Sequence, residues 1–384
     1  MPRLGFLLKT AAGNPAVMQS ADNFLRHYPD TIDPPSAGDL EPFINCAKDP
    51  RICRTRPQQT AIFQLSRLGL IHIQSCFPHL NHRLTTYQLI RRIIKPSLFD
   101  QGSFGLCGPA AFVITECAQD PVAFASFAVQ LFETGSGTLK GREIAPAPQI
   151  RNFNPANHGM GQADFLILAS VRDSQAALND QTNFAAYDGT GLGWMFEWFV
   201  QAGYPRVLMI MGPPPSGSGF ILKSAYGLTK AFSRDSQIVR CHPNQDTFGV
   251  RGLNPEDKLR VLQTANFFLK QGYKVMMGGL IGIARAAQEY EHAAAVRADN
   301  APAALVEGLE NFARNRIIDT QEQHWVIVED LEIRGGQVEI RLISWAKTIH
   351  ALNMPLEQFL DAFVGFVAAS PVPQHVPLSM AKPF

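Results

Sequence analysis

The sequence predicts an α+β fold, on three observations. Apolar residues recur at helical spacing through much of the first half, as in Ile62, Leu65, Leu68 and Leu70, and again from Leu84 to Ile94. Short apolar runs of strand type gather in the second half, at 207–211 and 275–277. The segments 323–330 and 338–345, separated by a turn at Gly335-Gly336, read as a β-hairpin. Helices first and strands later is the order of an α+β chain.

At 384 residues, with a hydrophobic fraction of 46%, the chain can bury a large core as one big domain or two smaller ones. The formal net charge is +1 with Lys and Arg scattered, so nothing favours nucleic acid as a partner. No uncharged apolar run approaches the roughly 18 residues that would suggest a membrane span. The apolar stretch within residues 1–9 is too short for a signal peptide, and synthesis in the cytoplasm is expected. Cys46, Cys53, Cys76, Cys107, Cys117 and Cys241 lack the dense, regular spacing of a disulfide scaffold and read as free thiols.

Residues 1–56 are rich in turn formers (Asn14-Pro15, Tyr28-Pro29-Asp30, Asp33-Pro34-Pro35) and read as an irregular leader or docking segment. Residues 57–96 read as a small helical N-terminal region that stops at Lys95-Pro96. Cys46, Cys53, Cys76, His79 and His82 are soft-metal ligand types, but no Cys-x-x-Cys knuckle joins them. A polar loop with incidental histidines is the expectation, with no metal and no organic cofactor.

A larger domain is expected over 97–370, followed by a Pro-rich tail at 371–384. Its organising stretch runs from Asp100 to Phe112. Cys107 lies where a polar, Gly-containing loop becomes a helix, and the unpaired N–H groups and positive dipole end of a helix favour a thiolate there. Gln101, across a loop loosened by Gly102 and Gly105, can bring an amide donor back over the sulfur and supply half of an oxyanion hole. Cys117 falls further along the same helix and reads as a packing residue.

Asp120-Pro121 caps the next helix, which ends at Gly135. Residues 161–178 read as helical, as do 194–199, closed by Gly203. The stretch 211–219 follows a strand but reads as a surface turn: three prolines remove the N–H donors that a phosphate cradle needs. Asn254-Pro255 starts a helix that stops at Gly272, and 283–309 is helical with an interruption at Asn300 and Pro302.

His324 opens the hairpin. A turn centred between Gly335 and Gly336 sets it near Lys347, and a small register change brings Ser344 or Trp345 closer. The Ser344 hydroxyl can accept an imidazole N–H. Asp330 is on the order of 20 Å further along the strand, too far to orient the ring.

The segment from Gln101 to Cys107 resembles the Gln-Gly-x-x-Gly-x-Cys active-site segment of the papain-like cysteine peptidases. The continuation Cys107-Gly108-Pro109-Ala110 is similar to bacterial branches of that superfamily, including secreted effector peptidases. The hairpin ending in Ser344-Trp345 is similar to the family's histidine strand with its Asn-Ser-Trp or Asp-Pro-Trp return. Three positions depart from the pattern. Phe104 replaces a disulfide cysteine, Gly108 replaces the tryptophan after the nucleophile, and Ile343 stands where the orienting Asn or Asp belongs.

The resemblance implies a papain-like fold with insertions, in which a helical lobe carries the nucleophile and an antiparallel β-sheet lobe carries the histidine. It implies a thiol-dependent peptide-bond hydrolase with Cys107 as nucleophile, His324 as base in a thiolate–imidazolium pair, Gln101 as oxyanion donor and Ser344 as orienting residue. The implied partner is a protein or peptide substrate. For an effector or toxin the resemblance adds an inhibitor or immunity protein and export without a signal peptide. The same residues serve glutamine deamidation or transglutamination in related effectors, and the missing Asn or Asp is what a non-catalytic binding module would show.

Overall fold

The computed structural model describes residues 1–71, 74–102, 104–174, 192–211, 220–224, 230–232, 254–318 and 323–370. They form two compact units, Met1–Asp188 and Gly189–Phe384. The chain is α+β, and among the described residues every strand pairing is antiparallel. The expected turn at 212–219, the end of the expected helix at 175–178 and the tail at 371–384 lie outside the described residues.

The first unit corrects the reading of residues 1–56 as irregular. They contain helices α1 (Leu4–Ala12), α2 (Ala21–His27) and α3 (Ala37–Ala47). The polar residues that suggested loops are helix caps: Ser20 accepts from the Asn23 N–H, and Ser36 and Asp39 form a reciprocal capping box. Between the caps, Phe24, Tyr28 and Phe43 are fully buried. The Phe43 ring lies 4.5 Å from that of Tyr87, on helix α5 (His82–Ile94), so the segment covers the core of the unit.

Helix α4 (Arg56–Leu70) starts on a Thr55–Gln58 capping box and packs on α5 and on α7 (Pro121–Thr134). Helix α6 (Cys107–Gln119) lies in the same unit, so the expected boundary at residue 96 is not a domain boundary. Asp120 caps α7 through the Ala123 N–H, and Gly135 ends it at φ 75°, the left-handed conformation that glycine adopts without penalty. A short hairpin of β1 (Gly137–Leu139) and β2 (Arg142–Ile144) follows. Further on, the chain is helical from Gln162 to Asp173, with a π-wound centre at Phe165–Ala169.

A buried ionic cluster joins these parts. Arg92 on α5 is completely buried, and its guanidinium grips Asp164 through Nε–Oδ1 at 3.1 Å and Nη2–Oδ2 at 2.5 Å. It also pairs with Asp30, which takes Arg91 as well. Two guanidinium groups thus face two carboxylates, and the forked geometry offsets the cost of removing four charges from water. Next to the cluster, the Tyr87 hydroxyl donates to the Pro29 carbonyl at 2.8 Å.

The second unit is built on an eight-stranded sheet. Its strands are β3 (Arg206–Met211), β4 (Phe220–Ser224), β5 (Lys230–Phe232), β6 (Lys274–Leu280), β7 (Gln323–Arg334), β8 (Gln337–Ser344), β9 (Lys347–Pro355) and β10 (Phe363–Ser370). The spatial order is β5-β4-β3-β10-β6-β7-β8-β9, so the last strand lies between β3 and β6 and is buried along its whole length. The helices are α8 (Leu192–Gln201), α9 (Pro255–Lys270), α10 (Ile281–Ala298), α11 (Ala303–Ile318) and α12 (Leu356–Ala362). Asn254 caps α9 through the Asp257 N–H at 2.8 Å, as its sequence suggests.

Gly335 and Gly336, at φ 55° and 75°, form the expected turn between β7 and β8. The register follows a turn centred between them as far as Asp330 opposite Arg341. A bulge then shifts it by one residue, leaving Val328 opposite Leu342 and Ile327 opposite Ile343.

The ionic cluster makes a direct prediction. Arg92→Ala leaves Asp164 buried without its counter-ion and lowers the unfolding free energy by about 3–5 kcal/mol. Urea denaturation at neutral pH measures it, and a loss below about 1 kcal/mol would show that the cluster does not hold the unit together.

Candidate functional site

In the first unit, local hydrogen bonds shape the loop that leads to Cys107. Asp100 Oδ1 accepts the Gly102 N–H at 2.9 Å, and Gly102 takes φ 60°, where a side chain would be strained. The Leu106 N–H then bonds the Phe104 carbonyl at 2.8 Å, and the Ala110 N–H bonds the Leu106 carbonyl at 2.9 Å, which starts α6. Cys107 is therefore the first residue of α6, as its sequence suggests, and Leu106 supplies no capping side chain. The Cys107 side chain is buried, with 6% exposure. Gln101 is half-buried one turn of loop away, and among the described residues no hydrogen bond uses its side-chain amide.

The other thiols have different surroundings. Burial pushes the Cys53 thiol up to about 12, and it raises Cys117 further still. Cys117 points its sulfur at the Arg92 carbonyl, 3.7 Å away, which is the packing role its place on α6 suggests. Cys76 bonds the Glu133 carbonyl at 3.2 Å. No cluster of three or more metal-ligating side chains occurs among the described residues.

Beside the Cys107 loop stands a column of rings. Phe165 is buried and stacks on Phe153 at 5.3 Å, Phe153 stacks on the exposed His158 at 4.9 Å, and Phe104 closes on His158 at 5.6 Å. Met160 follows, with its Cβ 3.9 Å from the position a Gly102 side chain would take. The segment 153–164 thus forms the wall beside the loop, and Arg92 anchors that wall through Asp164.

In the second unit, His324 near the start of β7 lies opposite Gly279 of β6. It is 4% exposed, and its Nε2 is 2.7 Å from Ser344 Oγ. The register bulge explains the contact. With Ile327 moved opposite Ile343, Ser344 falls on the diagonal from His324, within reach of its ring. Among the described residues no hydrogen bond is made to Nδ1. Asp330 turns instead to Lys270, at 2.8 Å, and Ile343 is buried in the strand.

Trp345 stacks on the imidazole, with ring centroids 4.5 Å apart and planes 19° from parallel. It holds φ 46°, and Ala346 holds φ 59°, in the tight turn between β8 and β9. A left-handed tryptophan costs on the order of 1–2 kcal/mol, which the stacking contact helps to offset. Burial lowers the His324 pKa to about 4, and the positive charge of Arg285 on α10 adds to the effect. At neutral pH the ring is an uncharged imidazole.

Sequence reasoning gave no signal for the charge of Arg285 on His324, because that residue stands in an alanine-rich helix with no motif around it. Gly278-Gly279 marks only that the backbone of β6 must pass close to Trp325 and Ile283. No protein-family model, curated protein or solved structure matches the chain.

The His324 pKa fixes the sign of a pH effect. Its folded value of about 4 is below the ordinary value of 6.5, so between these values the unfolded chain binds more protons. Its contribution to stability is complete above pH 6.5 and is lost as pH falls to about 4, amounting to about 3 kcal/mol. His324→Asn, which cannot be protonated, is expected to lose that much less stability than wild type between these pH values in urea melts. Equal losses in the two proteins would contradict the assignment.

Proposed function

We propose that the chain is a thiol-dependent peptide-bond hydrolase in which Cys107 is the nucleophile and His324 the general base. One observation carries the reading: a buried, neutral imidazole bonds a serine hydroxyl at 2.7 Å through Nε2. In this reading Nε2–H donates to Ser344 Oγ, which leaves the Nδ1 lone pair to accept a proton. The start of α6 at Cys107, with Gln101 upstream, supplies the nucleophile and oxyanion-donor types that such chemistry needs.

In the proposed reaction the Cys107 sulfur attacks the carbonyl carbon of an amide while its proton passes to His324 Nδ1. The Gln101 amide and the Cys107 backbone N–H receive the developing oxyanion. His324 then protonates the departing amine, and a water deprotonated by the same ring hydrolyses the thioester. Since burial disfavours the imidazolium, the resting couple is thiol and neutral imidazole, in place of the ion pair implied by the resemblance. Charge develops on the ring only during the reaction. An effector or toxin with a cognate inhibitor is the biological setting that the resemblance supplies.

The test is a mixed peptide library incubated with wild type, Cys107→Ala and His324→Ala, and read by mass spectrometry. Wild type is expected to create new peptide termini, and each variant to slow this by roughly 10²–10⁴. The rate is expected to rise with pH through about 4, where His324 loses its proton. Conversion of Gln to Glu without new termini would replace hydrolysis by deamidation. Unaltered peptides in all three samples would leave the binding module as the better reading.

A further inference from the structure

We propose that the outer face of α4 is the docking surface for an acidic amphipathic helix of a partner protein. The inference stands apart from the hydrolase reading and uses none of its residues. The inner side of α4 belongs to the core: Ala61, Ile62, Leu65 and Leu68 are buried, and α3, α5 and α7 pack against the helix. On the opposite side Arg56, Thr60, Phe63, Arg67 and Leu70 are all exposed. Their successive spacings of four, three, four and three residues place them in one stripe, about 21 Å long at 1.5 Å per residue.

This alternation of four and three is the a/d seam of a coiled coil, the pattern by which one helix receives another. A helix face that meets only water has no use for large apolar side chains, yet Phe63 is 62% exposed and Leu70 38%. Ile71, which closes the helix, is 52% exposed. These are three of the seven large apolar side chains exposed among the described residues, gathered at one helix. An apolar cluster set among charges marks an interaction surface.

The charge of the stripe selects its occupant. Arg56 and Arg67 stand in the seam beside Phe63 and Leu70, Arg54 is exposed just before the Thr55 cap, and α4 contains no acidic residue. A helix packed on this stripe lays its apolar residues over Phe63 and Leu70 and must offer carboxylates along its flanks to Arg56 and Arg67. A second copy of α4 cannot do so, because pairing the helix with itself gathers four seam arginines and no anion. Nucleic acid or an anionic bilayer would attract the arginines, but neither calls for the four-three spacing of the apolar positions.

The probe is a fluorescein-labelled peptide of about three heptads with Leu at a and d and Glu at e and g, compared with its counterpart carrying Lys at e and g. The full chain is used as Cys107→Ala, so that the probes stay intact whatever the hydrolytic activity. Fluorescence anisotropy is expected to show the acidic peptide binding at least about tenfold more tightly than the basic one. Adding Phe63→Ser is expected to weaken the acidic peptide about tenfold, and adding Arg67→Glu to weaken it and strengthen the basic peptide. That reversal separates recognition from loss of structure, and thermal melts are expected to match, since both side chains are exposed. Binding of neither peptide, equal binding of both, or acidic binding that survives both variants would overturn the proposal. So would self-association that Phe63→Ser abolishes and the acidic peptide does not displace, which would assign the stripe to a second copy. Tighter binding to phosphatidylserine vesicles or to a single-stranded oligonucleotide than to the acidic peptide would overturn it in favour of a membrane surface or nucleic acid.

Discussion

The grip of Arg92 on Asp30 and Asp164 is the constraint on which the first unit depends. One fully buried guanidinium joins the N-terminal helices, α5 and the segment beside the Cys107 loop. The backbone of the same residue receives the Cys117 thiol from α6. Such a cluster is tolerated in a low-dielectric interior only while each charge keeps its partner, since an orphaned charge costs several kcal/mol. The N-terminal residues are thereby part of the core, and so is the wall that ends near Gly102.

The second unit sets a different balance around His324. A buried imidazole keeps its hydrogen bond to Ser344 and its stacking contact with Trp345 at the expense of its ability to hold a proton. Trp345 sits in a backbone region that disfavours a side chain, and strain of this kind persists where surrounding contacts over-determine the geometry. A neutral ring with one nitrogen committed can accept a proton from a reacting thiol.

What was legible in the sequence was chemistry acting over a few residues. Asp120-Pro121 and Asn254-Pro255 announced helix starts, and Gly335-Gly336 announced a hairpin, because caps and turns are fixed by adjacent atoms. Cys107 at the head of its helix was legible for the same reason. Residues 1–56 were misread because the Ser and Asp residues that cap short helices also populate loops, and only burial of Phe24, Tyr28 and Phe43 separates the two. The Ser344 contact required a bulge whose position the alternating pattern does not encode. The placement of β10 between β3 and β6 arises from pairings distant in sequence, which no local pattern records.

The central claim is that His324 acts as base towards the Cys107 thiol, and the most direct measurement is the rate of Cys107 alkylation by iodoacetamide across pH, in wild type and His324→Ala. Near neutral pH the account predicts base-assisted alkylation of Cys107 that is faster in wild type than in His324→Ala, without the low-pH thiolate plateau that a resting ion pair would give. The wild-type advantage should also fade as pH drops to about 4 and His324 gains a proton. An ordinary thiol curve for Cys107, identical in the two proteins, would contradict the claim.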